Sequence, residues 1–193
     1  HKTLLKVPAG VRVKDPASAK AKQFRKNYAN PSVEMTDLVG VRFVVLTSHE
    51  VELINMAVEA SSSWAVLKAR DPLAEIANEP DVFGYQSHHF EVRPPAAAAH
   101  HQPWLCCEVQ VRTLLQHAIA ELSHDSIYKA NVAAPSHAKR LVARSMALME
   151  TTDELLCKAM DAVRDAESPV LAFNRAAADL TSTFHAAGSD EVA

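Results

Sequence analysis

An acid, an amide and a guanidinium occupy every second position from Glu108 to Arg112, between Cys107, Val109 and Val111. Alternation with a period of two predicts a half-buried strand over Cys106–Arg112, with Glu108, Gln110 and Arg112 on its second face. A core has no use for those three groups on one face, so they mark a candidate site. From Thr113 the period changes. Leu114, Ala118 and Leu122 recur at four-residue steps beside Leu115 and Ile119, as on the apolar face of a helix, with Thr113 as a plausible N-cap. His117, Glu121, His124 and Tyr128 form a second stripe. Their spacing is not that of HExxH and offers no evident third zinc ligand. A supporting role behind Glu108 and Arg112 is the better expectation.

A second carboxylate, Asp37, precedes the apolar run GVRFVVLT. Two carboxylates from neighbouring strands can hold Mg²⁺, with Mn²⁺ as an alternative ion, if a phosphate and water supply the remaining oxygens. The structural alternative is that Asp37 caps a turn and Glu108 pairs with Arg42 or Arg112. Arg12, Lys14, Lys22 and Arg42 could neutralise a triphosphate, or be plain surface charges. Tyr85, Ser87 and His89 are expected on one strand face. Tyr85 could stack on a base, or fill a core with its hydroxyl bonded.

The elements that must position these groups can be read from the pattern. Asp15-Pro16 opens a helix ending near Tyr28, before Asn30-Pro31. Gly40–Thr47 is a buried strand, Ser48 caps a helix to about Ser62, and Trp64–Ala69 is a second strand. Asp71-Pro72 starts a short helical turn, and Tyr85–Arg93 is a third long strand. The ten-residue connector to the next strand suits an antiparallel pair. Pro135 starts a long helix that Ser168-Pro169 should break. The order implies an α+β fold with a mixed sheet of about five strands, over residues 1–130, and a C-terminal helical extension over 131–193.

Composition narrows the function. Of 193 residues, 48% are apolar, enough for a core. There are only four glycines and no GxGxxG or GxxxxGK[ST], so any nucleotide phosphates must be held by side chains. The three cysteines include no CxxC pair, which suits thiols in a reducing, cytoplasmic setting. No apolar run approaches membrane-spanning length. The chain opens at His1 rather than Met, so a longer parent is expected. Residues 1–30 hold eight Lys or Arg against one acid, whereas the remainder is acidic. That asymmetry suits a polyanion bound at one end, or a solvated helix face.

Taken in order, RVK…S…K, DLVGVR, GYQSHH and EVQVRT..QHA.AELSHD..YK resemble the RelA/SpoT-type alarmone synthetase domain over about residues 10–130. The resemblance implies a nucleotidyltransferase-like fold and transfer of a pyrophosphate group from ATP to a ribose 3′-hydroxyl of GDP or GTP, with AMP leaving. It assigns Arg12, Lys14, Ser18 and Lys22, with Arg42, to ATP and Asp37 to Mg²⁺. Glu108 becomes the base or second metal ligand. Tyr85, His89, Gln110 and Arg112 fall on the acceptor side, with His117, Glu121 and His124 behind. Small members of the family often self-associate through C-terminal helices.

One stretch departs from the pattern. Many guanosine-specific members carry Lys and Asn before the GY motif, where this chain has Asp81 and Phe83. Two alternatives therefore accompany the main reading. One is a toxic small synthetase acting on the tRNA 3′ end or on adenosine nucleotides. The other is a degenerate nucleotide-binding module.

Overall fold

The computed structural model describes residues 4–84, 86–95, 105–123 and 134–188, with side chains beyond Pro169 described only at Leu171 and Phe173. Five strands form one sheet: β1 (Val11–Val13), β2 (Val39–Val45), β3 (Ala65–Arg70), β4 (His88–Arg93) and β5 (Cys107–Thr113). Their order is β1-β2-β5-β4-β3. Only β2 and β5 run parallel; the other neighbours are antiparallel. This is the expected mixed α+β sheet, and β4 and β5 form the expected antiparallel pair.

The helices are α1 (Pro16–Lys26), α2 (Pro31–Glu34), α3 (Ser48–Glu59), α4 (Pro72–Asn78), α5 (Leu114–Ser123) and α6 (Ser136–Gly188). Local chemistry sets their starts. Asp15 accepts from the Ser18 backbone N–H at 2.8 Å, and Asp71 does the same for Leu73 at 3.1 Å. The cap of α3 is Thr47, not Ser48: Thr47 and Glu50 form a reciprocal capping box. The short α2 lies where only a break was expected. Asn27, at φ 52°, closes α1 in the left-handed region.

One sheet face carries the core. Val45, Phe90, Val109 and Val111 pack with Val51 and Val58 of α3. Each such side chain contributes roughly 1.5–3 kcal/mol on burial. The other face holds the polar members of the same strands. In register, Gly40 faces Glu108, Arg42 faces Gln110 and Val44 faces Arg112. Across β5, Glu91 opposes Glu108 and His89 opposes Gln110.

Several expectations are corrected. Strand β4 starts at His88, so Ser87 precedes it and does not share a strand face with His89, and the expected place of Tyr85 lies outside the described residues. Ser87 is fully buried ahead of the strand, and its hydroxyl donates to the Val111 carbonyl at 3.4 Å. Trp64 precedes β3 and is 39% exposed. Pro169 does not end the last helix, which runs on to Gly188. A proline inside a helix removes one backbone hydrogen bond and need not stop the element.

Two compact units divide the chain at Asp153/Glu154. The division expected at 130/131 lies outside the described residues. In the first unit, the opening turns of α6 bury Met146 and Met149. There Thr113 donates its hydroxyl to Asp153 at 2.6 Å, and Gln86 donates to Glu150 at 2.7 Å. The second unit is the remainder of α6 with the residues that follow.

Burial pushes the Asp153 carboxyl up, and the Thr113 hydroxyl only partly offsets it. A group raised on folding lends stability below its unfolded pKa of about 3.9, and loses it as pH rises through the folded value. Asp153→Asn, which keeps an acceptor for Thr113, is therefore expected to gain on the parent from pH 4 to pH 8 in chemical denaturation. A difference independent of pH would contradict this.

Candidate active site

The polar sheet face and the N-terminal segment enclose a cleft. Val7 bridges to Val44 and β1 pairs with β2, so residues 8–10 arch between two points of attachment to the edge of β2. The resulting cavity, about 290 Å³, is lined by Arg12, Lys14, Asp37, Arg42, Glu108 and His117 among others.

Asp37 lies two residues before β2 and binds two ammonium groups. Lys14 approaches Oδ2 at 2.7 Å and Lys22, from α1, at 2.8 Å. Burial pushes the Asp37 carboxyl up, but Lys14 and Lys22 outweigh it and hold it below the usual range. Its other oxygen, Oδ1, is buried without a hydrogen-bond partner. A buried carboxylate oxygen is costly to leave unpaired, which suits a ligand position for a cation.

Glu108 sits on β5 opposite Gly40. Its Oε1 lies 3.1 Å from His89 Nδ1, and its Oε2 accepts from Gln110 Nε2 at 2.8 Å. Burial raises this carboxyl, and His89 and Gln110 overcome the effect, leaving it below the usual range. Asp37 acts on it in the opposite sense, as a nearby like charge. Gln110 also accepts from Arg42 Nε at 3.1 Å. Acid, amide and guanidinium thus form one line across β5 and β2.

A second line runs behind it. Glu121 of α5 binds Arg42 at 2.8 Å and Arg112 at 3.0 Å. Arg112 also lies 2.6 Å from His117 Nδ1.

The family description "Region found in RelA / SpoT proteins" matches residues 11–133, well over half of the chain. The chain belongs to the RelA/SpoT family. GTP pyrophosphokinase YjbM of Bacillus subtilis (strain 168) is 27% identical over 165 residues, which span 85% of this chain and 75% of that protein. The crystal structure of small alarmone synthetase 1 from Bacillus subtilis matches with TM-score 0.67 and 25% identity, over 81% of this chain and 80% of that one. The same synthetase, solved bound to its product pppGpp, matches with TM-score 0.66 and 24% identity, over 80% and 78% of the two chains. As a RelA/SpoT protein with this fold, the chain is an enzyme of the GTP pyrophosphokinase type.

Most of the residues expected from the sequence to form the site line this one cleft. Arg12, Lys14, Asp37, Arg42, Glu108, Gln110 and His117 all line it. Lys22 joins through Asp37 and His89 through Glu108. Ser18 does not line it: it is exposed in the first turn of α1, where its backbone is capped by Asp15. Arg112, expected at the acceptor, is only 1% exposed and engages His117 and Glu121 instead. Tyr85 and His124 lie outside the described residues. Among the described residues no group of three or more His, Cys, Asp and Glu could hold a metal. Asp37 and Glu108 are two carboxylates only, so an ion held between them would need its remaining oxygens from phosphate and water, a coordination that Mg²⁺ accepts.

Sequence reasoning missed four participants. Glu91 opposes Glu108 and binds Arg93 at 3.1 Å. Gln116 completes the start of α5: its Oε1 accepts from the Thr113 N–H at 2.9 Å, and its own N–H donates to the Thr113 hydroxyl at 3.2 Å. The T-x-x-Q spacing of a capping box was a readable signal for that contact. Glu150 and Asp153 had none, because each meets its partner across the fold. A second cleft of about 380 Å³, lined by Arg70, Glu75, Glu79, Val82, Gly84 and Gln86 among others, borders the loop that departs from the family pattern.

The lysine pair holds Asp37 ionised, so its folded-state stabilisation is present above the unfolded pKa and lost as pH falls through the lower folded value. In Lys22→Met, carboxyl NMR should show Asp37 titrating at higher pH than in the parent. An unchanged titration would remove Lys22 as a cause.

Proposed function

We propose that the chain transfers a pyrophosphate group from ATP to the ribose 3′-hydroxyl of GDP or GTP, releasing AMP. One observation carries this reading. Asp37 and Glu108 share a cleft with Arg12, Lys14 and Arg42, and Lys22 is held at its edge by Asp37. Side-chain cations here replace the glycine-rich phosphate loop that the chain lacks.

The chemistry follows from those positions. ATP phosphates draw Lys14 and Lys22 away from Asp37 Oδ2, which then joins Oδ1 as an available oxygen. Mg²⁺ held by Asp37 and Glu108 would screen phosphate charge and favour loss of the 3′-hydroxyl proton. The acceptor oxygen attacks the β-phosphorus and the bond from that phosphorus to the α-phosphate oxygen breaks. Glu108 is ionised at neutral pH and takes the proton. The hydrogen bonds from His89 and Gln110 set which way its oxygens point. Arg12, Lys14, Lys22 and Arg42 stabilise the charge on oxygens in transfer. A cytoplasmic site of action fits an ATP-dependent enzyme. No helix among the described residues is long and apolar enough to cross a membrane.

A second reading keeps the chemistry and changes the acceptor. Two carboxylates, Glu75 and Glu79, line the second cleft, and Glu75 binds Arg70 through two bonds of 2.6 and 2.7 Å. With Asp81 where many guanosine-specific members carry lysine, these carboxylates disfavour a nucleoside di- or triphosphate and favour an acceptor ribose that bears a single backbone phosphate, such as the 3′ end of tRNA.

Incubation with Mg²⁺ and β,γ-labelled ATP, offering GDP, GTP, AMP, ADP and bulk tRNA separately, distinguishes the two. Label on a guanosine nucleotide is expected; label on RNA alone would replace the first reading with the second. No labelled product with any acceptor would overturn both. Glu108→Gln, nearly isosteric, is expected to lower transfer at least 100-fold while ATP still binds, in line with general-base contributions of about 10²–10⁴. Undiminished transfer would remove Glu108 from the mechanism.

A further inference from the structure

His117 lies one helical turn into the element that follows strand β5, and it lines the cleft together with Arg12, Lys14 and Arg42. Its Nδ1 is 2.6 Å from Arg112 Nη2. A guanidinium only donates and keeps its charge in proteins, so Nδ1 must be the acceptor of that bond. Burial, then the charges of Arg112 and Arg42, push the His117 pKa down, while Glu121 opposes them only in part. The ring is therefore neutral near pH 7. A neutral imidazole whose Nδ1 accepts carries its proton on Nε2. Arg112 itself is 1% exposed, so this tautomer is fixed from inside the protein. No hydrogen bond from Nε2 to the described residues is formed, and the side chain is 21% exposed.

We infer that His117 is a binding residue for the ATP phosphates, presenting a fixed Nε2–H to a phosphate oxygen in the cleft. The assignment rests on the reading of this cleft as the ATP site and adds to it a neutral donor among four cations. It also gives buried Arg112 a role: it positions His117 from behind and touches no substrate.

Two substitutions separate ligand binding from support of Arg112. Asparagine puts an acceptor near the Nδ1 position and nothing at Nε2; glutamine puts an amide N–H near Nε2. His117→Asn is expected to keep its melting temperature and bind the non-hydrolysable analogue AMPCPP about tenfold more weakly by calorimetry, the scale of one hydrogen bond to a charged group. His117→Gln should recover most of that affinity. Lys14→Ala serves as the control for the cleft. If it weakens AMPCPP binding while His117→Asn binds as the parent does, the His117 inference falls and the ATP-site reading survives. If neither substitution changes AMPCPP binding, or the parent does not bind it, both fall. Should His117→Asn fail to fold, His117→Ala beside His117→Gln decides: AMPCPP binding about tenfold weaker in the first and near parental in the second supports the inference, and parental binding in both overturns it.

Discussion

Seven residue pairs of β2 and β5 lie side by side in parallel, and this register decides which side chains meet. It sets Gly40 against Glu108, Arg42 against Gln110 and Val44 against Arg112. A slip of one residue would turn Glu108, Gln110 and Arg112 into the core and expose Val109 and Val111. The apolar face therefore enforces the polar one. Gly40 matters at this crossing for a local reason. A Cβ there would lie 3.3 Å from the Glu108 carbonyl oxygen, and any longer side chain would occupy the cleft floor beside the carboxylate.

Electrostatics then explains why the cleft tolerates its charges. Asp37 and Glu108 are like charges, and each is stabilised by its own partners: two lysines for Asp37, His89 and Gln110 for Glu108. Four cations against these two carboxylates leave a positive surplus suited to a triphosphate. Glu121, half exposed, ties Arg42 to Arg112 and so holds part of that surplus in place. The ion pairs seen here hold both lysines near the position that incoming phosphates require, which lessens the ordering cost on binding.

Much of this was legible in the residues. The change of period at Thr113 located the junction of strand and helix, and alternation along Glu108–Arg112 named the three polar groups of β5. Asp15 and Asp71 announced their helices. Other features were hidden for physical reasons. Periodicity tells which residues share a face, not which strands are neighbours, so the strand order and the Glu91–Glu108 juxtaposition needed the fold. Arg112 alternates in phase with Glu108 and Gln110, yet Glu121 and His117 cover it from α5. The Gln86–Glu150 and Thr113–Asp153 bonds join residues far apart in sequence, and no local pattern encodes them. Pro169 is a strong breaker that this helix nevertheless accommodates.

The central claim is that Asp37 and Glu108, brought together by the β2–β5 register, form a metal–nucleotide site with the basic residues of the N-terminal segment. A crystal structure with Mn²⁺ and AMPCPP tests it most directly. The account predicts an anomalous scattering peak bonded to oxygens of Asp37 and Glu108, with the triphosphate against Lys14, Lys22 and Arg12. A metal peak away from both carboxylates, or a triphosphate seated instead in the cleft beside Arg70 and Glu75, would contradict it.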